Sequence, residues 1–280
     1  MVESILGFLK YEFIQNAAFA GLLASIAAGV VGSYVVIKRI TLISGGIAHT
    51  VLGGMGIAYY LGKEPLAGAI VAAIFSAFLL GLVNLKAKQH EDTIIGALWA
   101  VGMALGVIFM ALTPGYNVDL MSFLFGNILM VTHPILRLLF YLDTAILLVV
   151  AIFYRQFKLI CFDEELARLQ GLHVEALYVL LLCLIALTVV ILIKVVGLIL
   201  VIALLTLPAA VAGLFTHSLG RMMGLAAALS LFFTWSGLVI SYNLNLPAGA
   251  VMVITAGVSY LAALSWKRLD QKSRREESSF

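Results

Sequence analysis

Long apolar stretches follow one another along most of this sequence, with only short polar joints between them. A helix needs about 20 mainly apolar residues to cross the roughly 30 Å hydrocarbon layer of a bilayer. Nine stretches approach this length, at 13–37, 41–61, 65–85, 93–112, 134–153, 175–193, 196–214, 222–242 and 248–265. In lipid a helix is expected, because it hydrogen-bonds its backbone internally. The sequence therefore predicts an all-α polytopic membrane protein with about eight or nine transmembrane helices, since the pair within 175–214 can be divided differently.

The composition excludes a soluble enzyme, a disordered chain and a disulfide scaffold. Of the 280 residues, 63% are hydrophobic and 11% are charged, whereas a soluble domain carries roughly 25% charged residues. A net charge of +3 gives no indication of a nucleic-acid partner. The two cysteines, Cys161 and Cys183, are isolated, and the predicted spans place Cys161 in a cytoplasmic loop.

Lysine and arginine predict the orientation, because cytoplasmic loops retain these residues. With the C-terminus inside, 13 of the 17 basic residues fall on the cytoplasmic side and 4 fall outside. We therefore expect the N-terminus outside and the C-terminus in the cytoplasm. Residues 1–266 are predicted to form one transmembrane domain, and 267–280 a short polar cytoplasmic tail.

His49 is a polar side chain predicted to lie near the middle of the bilayer, about 15 Å beyond Arg39 along a helix. Its neighbours at helical spacing are Gly45, Gly53 and Gly56. A helix face without side chains either packs closely against another helix or leaves room for a ligand or water beside the imidazole. Neutral imidazole binds transition metals well. The spacing of the glycines is compatible with both alternatives, a metal ligand and a packed histidine.

Asp143 is the other ionisable residue predicted at membrane depth. It is either part of a proton or cation relay or one half of a structural pair with a neighbouring helix. The sequence favours the structural pair.

Two segments are too short or too interrupted to span. Residues 114–133 are expected to lie at, or dip into, the outer face. On the cytoplasmic side, residues 162–172 predict a short amphipathic helix, with Asp163 as its N-cap and Gly171 at its end. Such a helix is either a docking element for a partner or a loop helix on the membrane surface.

Motifs of catalytic chemistry are absent. The sequence contains no Gly-x-x-x-x-Gly-Lys-Ser/Thr phosphate loop, no His-Glu-x-x-His pair and no Gly-x-Ser-Gly nucleophile. A carrier or permease with few, central polar groups is therefore favoured over an enzyme.

Four blocks, taken in order, resemble one family along nearly the whole chain. They are Ile43–His49, Glu91–Gly96, Val118–Gly126 and Val196–Ala210, with Leu246–Gly249 beyond the last. The chain resembles the permease subunit of ATP-binding-cassette importers for zinc, manganese or iron.

The resemblance implies a multi-pass permease in the cell (inner) membrane of a prokaryote, with a second copy as its dimer partner. Two separate ATPase subunits would bind the ATP, an extracytoplasmic binding protein would deliver the metal, and the chain itself would hold no cofactor. The divalent metal would be the transported substrate. In this family pattern Asp163, Glu165, Ala167 and Gly171 belong to the loop that couples to the ATPase.

The resemblance also implies a translocation path through His49, Gly45, Gly53 and Asp119. Many members carry an aspartate where this chain has Gly45, and another where it has Asn127. Both differences remove negative charge from places that a dication would visit. Either the site depends more on imidazole, which favours zinc over manganese, or cations pass with few protein contacts.

Two alternatives stay open. One is a cassette permease for a metal chelate such as a siderophore. The other is a secondary carrier driven by an ion gradient, which would need paired ionisable groups at mid-depth.

Overall fold

The computed structural model describes residues 11–86, 91–114, 124–198 and 201–277. Within these ranges the chain forms a short 3-10 turn at Ile128–Met130 and ten α-helices. The helices are α1 (Glu12–Lys38), α2 (Thr41–Tyr60), α3 (Pro65–Lys86), α4 (Glu91–Leu112), α5 (His133–Phe162), α6 (Glu164–Leu169), α7 (Val174–Val196), α8 (Val201–Phe215), α9 (Leu219–Leu244) and α10 (Ala248–Glu277).

Eight helices of the described chain are long and apolar enough to cross a membrane, namely α1 to α5, α7, α9 and α10. The predicted all-α polytopic fold is thus confirmed. Helix α8 is apolar but has only 15 residues, about 22 Å of helix, which is less than the hydrocarbon thickness. The start of the predicted span at 196–214 differs from the structure, because α7 ends at Val196 and is followed by Gly197, whose φ is +83°. Helix α8 is described from Val201.

Helix α5 is longer than its predicted span of 134–153. It runs for 30 residues and bends at Phe153, where φ is −99° and ψ is 16°. Beyond the bend it continues to Phe162, so the prediction that Cys161 lies in a loop is wrong. Arg155 and Lys158 resemble loop residues in the sequence, but both are exposed on this helical extension.

Helix α1 lies at the centre of the bundle and packs against α5, α7, α8 and α9. Its buried side chains are mainly small, including Ala17, Ala20, Ala24, Ala27 and Ala28. Small residues let helix backbones approach closely in membrane bundles.

Side-chain pairs define the two ends of the bundle. At one end, here called the α6 end, Lys38 forms an ion pair with Glu164, and its Nζ donates to the carbonyl of Ile160 at 2.8 Å. At the opposite end, His133 Nε2 lies 2.8 Å from Glu12 Oε1. Helices α1 and α5 therefore run in the same direction, from the opposite end to the α6 end.

The later helices return the chain to the α6 end. Ala209 and Ala212 of α8 pack with Ile37, and Lys267 Nζ donates to the carbonyl of Leu214 at 2.7 Å. The start of α1 and the second half of α10 therefore lie at opposite ends. The predicted placement of the two termini on either side of the membrane stays a prediction.

The segment before α5 enters the bundle at the opposite end. Ile128 is fully buried, and its side chain lies close to Gly21 of α1. Gly126 has a φ of +69° and faces Gly197 so closely that neither position has space for a Cβ. Asp119, assigned to the path by resemblance, lies outside the described residues.

Candidate functional site

His49 lies near the middle of α2, as predicted, and is almost fully buried, with 6% of its surface exposed. Its ring is stacked on the indole of Trp99 from α4, with ring centroids 4.0 Å apart and an angle of 15° between the planes. The Nδ1 atom is buried and has no hydrogen-bond partner among the described residues. Buried polar atoms are nearly always hydrogen-bonded, so this nitrogen requires an explanation.

The glycine face beside His49 is covered by α4. A Cβ at Gly45 would lie 2.9 Å from Trp99 Cζ3, and a Cβ at Gly53 would lie 2.8 Å from the carbonyl oxygen of Gly102. Gly56 faces Gly106 in the same way. In this conformation the glycines provide close helix packing, and the indole occupies the space beside the imidazole.

Trp99 was not identified from the sequence, although a signal was present. Trp99, Gly102 and Gly106 are spaced by three and four residues, which places them on one helix face. That face is complementary to the glycine stripe of α2.

Thr50 fixes the position of α2 next to the histidine. Its Oγ1 donates to the carbonyl of Gly46 at 2.8 Å and lies 3.3 Å from the carbonyl oxygen of Leu98 in α4. A threonine hydroxyl bonded within and between helices restrains the relative rotation of the two.

A cavity of about 570 Å³ lies between α2, α3 and α4. It extends from Thr50, Gly53 and Gly102 to Leu61 and Lys63, towards the opposite end of the bundle. His49 does not line it, but the cavity starts at residues adjacent to His49 and one turn beyond it.

The described residues contain no group of three or more histidine, cysteine, aspartate or glutamate side chains that could hold a metal ion. A metal ion at His49 would therefore meet one imidazole from this chain, with water, backbone oxygens or residues outside the described ranges completing its coordination.

Asp143 is 3% exposed, and its Oδ1 is buried without a hydrogen-bond partner among the described residues. No ion pair of Asp143 is found in the described part of the chain. The structural pair favoured from the sequence is therefore not seen there. The buried neighbours of Asp143 on α5, Leu139 and Ile146, are apolar.

Helix α6 has the form predicted for residues 162–172. Asp163 is its N-cap, with Oδ1 accepting from the Leu166 amide at 2.9 Å. Ala167 is fully buried, whereas Glu165 is exposed. Gly171 follows the helix with a φ of +77°, a conformation that favours glycine.

The outer side of α6 carries apolar side chains in solvent-accessible positions. Leu169 is 85% exposed and Leu166 is 41% exposed. Phe162, at the end of α5 and four residues before Leu166 in the sequence, is 63% exposed. These three residues form the apolar knob at the α6 end.

Comparison with known proteins supports one family. The ABC 3 transport family matches residues 10–267. A probable metal transport system membrane protein of Chlamydia muridarum is 41% identical, over 93% of this chain and 92% of its own length. The manganese transport system membrane protein MntC of Listeria monocytogenes is 34% identical, over 92% and 91%.

A solved structure has the same fold. A chain in the structure of PsaBC from Streptococcus pneumoniae in complex with Fab aligns with a TM-score of 0.85 and 33% identity. The alignment covers 94% of this chain and 95% of that chain.

Proposed function

Since this chain belongs to the ABC 3 transport family, we propose that it forms the membrane path of an ATP-driven importer for a divalent transition metal. As a metal transport permease it is a multi-pass protein of the inner membrane and a transporter rather than an enzyme. Uptake into the cytoplasm would be driven by ATP hydrolysis in a separate subunit.

The observation that carries the proposal is the unpartnered Nδ1 of His49 in the middle of a transmembrane helix. A neutral imidazole nitrogen is a good ligand for a divalent transition metal. A buried histidine that served only in packing would be expected to have a hydrogen-bond partner for this atom. His49 is therefore the transient ligand of the transported ion.

Movement of Trp99 would open space around His49. With the indole stacked on the ring at 4.0 Å, one face of the imidazole is covered. Displacement of α4 would uncover His49 and open the faces of Gly45 and Gly53 to the ion. Asp119 completes the proposed path at the outer side, since its segment joins α4 to the buried turn at Ile128.

Zinc is the favoured substrate, because the proposed site offers an imidazole and Gly45 supplies no carboxylate beside it. Manganese prefers oxygen ligands. Manganese remains the second candidate, because the relative from Listeria monocytogenes carries that metal in its name.

The apolar knob and α6 are the proposed contact with the ATPase. Exposed large apolar side chains at the end of a helical bundle are typical of an interaction surface. Four residues shape this element. Asp163 caps the helix and Gly171 ends it, while Ala167 is buried and Glu165 is exposed to the partner. A metal-binding protein would dock at the opposite end, and a second permease copy would complete the transporter.

Uptake into vesicles that contain this chain and its ATPase tests the proposal. We expect ATP-dependent accumulation of zinc, with manganese and iron added as competitors to rank the metals. His49→Ala should abolish uptake, whereas His217→Ala, a change of an exposed histidine, should not. Uptake that persists without ATP as long as an ion gradient is present would instead identify a secondary carrier.

A further inference from the structure

We infer that Lys38 is a positioning residue that transmits movement of α6 to the helix that carries His49. This inference rests on the proposed function, in which α6 is the contact with the ATPase. The ammonium group of Lys38 joins several helices of the bundle.

The Lys38 side chain is only 14% exposed although it ends a transmembrane helix. Its Nζ donates to the carbonyl of Ile160 in the last turn of α5 at 2.8 Å and forms an ion pair with Glu164, the first residue of α6. The same Nζ lies 6.0 Å from the ring centroid of Tyr178 in α7. One side chain of α1 therefore contacts α5, α6 and α7.

The Lys38–Glu164 pair differs from the other ion pair of α6. In the pair of Arg168 with Glu175, the side chains are 55% and 43% exposed, against 14% and 39% for Lys38 and Glu164. Exposed pairs are worth little, whereas partly buried pairs that also make hydrogen bonds hold their geometry. Lys38 therefore follows Glu164 when α6 moves.

The connection from Lys38 to α2 is short and fixed. Only Arg39 and Ile40 separate the two helices. Arg39 adopts a left-handed conformation, with φ of +60°, and its amide donates to the carbonyl of Val36 at 3.2 Å. The Ile40 amide donates to the carbonyl of Val35 at 3.1 Å. A two-residue joint with both amides bonded has little freedom to absorb a shift.

Helix α2 then carries the displacement to the site. His49 lies eight residues beyond Thr41, about 12 Å along the helix axis. A tilt of α2 at Thr41 changes the contact between His49 and Trp99, which belongs to a different helix. The pair of Lys38 and Glu164 thus links the α6 end of the bundle to the contact between His49 and Trp99.

The test measures transported metal per ATP hydrolysed, in vesicles that contain the chain with its ATPase. We compare wild type with Lys38→Met, which keeps the apolar stem, and Glu164→Gln, which removes the ion pair and leaves the Lys38 bond to Ile160 in place. Lys158→Met is the matched control, because it removes an exposed lysine from the same end of the bundle.

We expect the metal transported per ATP hydrolysed to fall by about fivefold or more in both pair variants, within the usual range of coupling between sites. Lys158→Met should keep the wild-type ratio. An unchanged ratio of metal to ATP in either pair variant overturns the inference, including the case in which hydrolysis and uptake fall in proportion. If Lys38→Met does not fold, Glu164→Gln alone decides. A wild-type complex without ATP-dependent uptake would instead contradict the proposed function.

Discussion

The imidazole of His49 and the indole of Trp99 lie nearly parallel, 4.0 Å apart, across the interface of α2 and α4. Because of this stack, the fluorescence of Trp99 should respond to changes at His49, the proposed ligand. The chain contains two other tryptophans, Trp235 and Trp266, both exposed, so the emission of Trp99 can be isolated by mutation.

A variant with Trp235→Phe and Trp266→Phe should report zinc binding through Trp99. Since Trp99 is stacked on the proposed ligand, coordination of zinc by His49 should change the surroundings of the indole and hence the intensity and wavelength of its emission. The measurement is steady-state fluorescence of the purified permease. Adding His49→Ala to this background should remove the response, and a response that survives His49→Ala would place the metal elsewhere.

Gly53→Ala should destabilise the interface of α2 and α4. The new Cβ would lie 2.8 Å from the carbonyl oxygen of Gly102, and overpacking of this kind costs about 1–3 kcal/mol. Thermal unfolding in detergent measures the change. Gly257→Ala is the control, because a Cβ there has no atom within 4 Å and α10 gains a better helix former. Equal unfolding temperatures for the two variants would mean that the interface of α2 and α4 accommodates the added Cβ at Gly53.

Asp143→Asn should leave the unfolding temperature unchanged or raise it. A buried carboxylate without a partner is unfavourable, and an amide of the same shape carries no charge into the low-dielectric interior. Thermal unfolding and metal uptake are measured together. A marked fall in the unfolding temperature would indicate an ion pair with residues outside the described ranges, whereas loss of uptake at unchanged stability would favour the relay.

Leu169→Glu should prevent co-purification of the ATPase without destabilising the permease. The side chain is 85% exposed, so the folded chain tolerates the charge, but an apolar docking surface does not. Leu61→Glu is the matched control at the opposite end, where the leucine is 60% exposed. Retention of the ATPase by Leu169→Glu would exclude the apolar knob as the contact.

The sequence predicted those features of the structure that depend on local interactions. The apolar runs gave the helices because backbone satisfaction in lipid is a local requirement. The Asp163 cap and the positive φ of Gly171 follow from neighbouring residues in the same way. These elements were predicted without knowing what they pack against.

Contacts between distant helices could not be predicted in this way. Trp99 covers His49, and Lys38 pairs with Glu164, only because the bundle brings separate segments together. The predicted span at 196–214 begins before Gly197, because hydropathy does not register the break in the helix at that glycine. Apolar composition alone does not specify which faces meet, since lipid and helix interiors are equally apolar.

The contact of Gly126 with Gly197 joins segments that are separated in the chain by α5, α6 and α7. During synthesis the earlier glycine emerges long before the later one exists. The turn at Ile128 therefore stays incompletely enclosed until α7 has been inserted. Packing of Gly126 against Gly197 is therefore a late step of permease assembly, and a chain truncated before residue 197 cannot complete it.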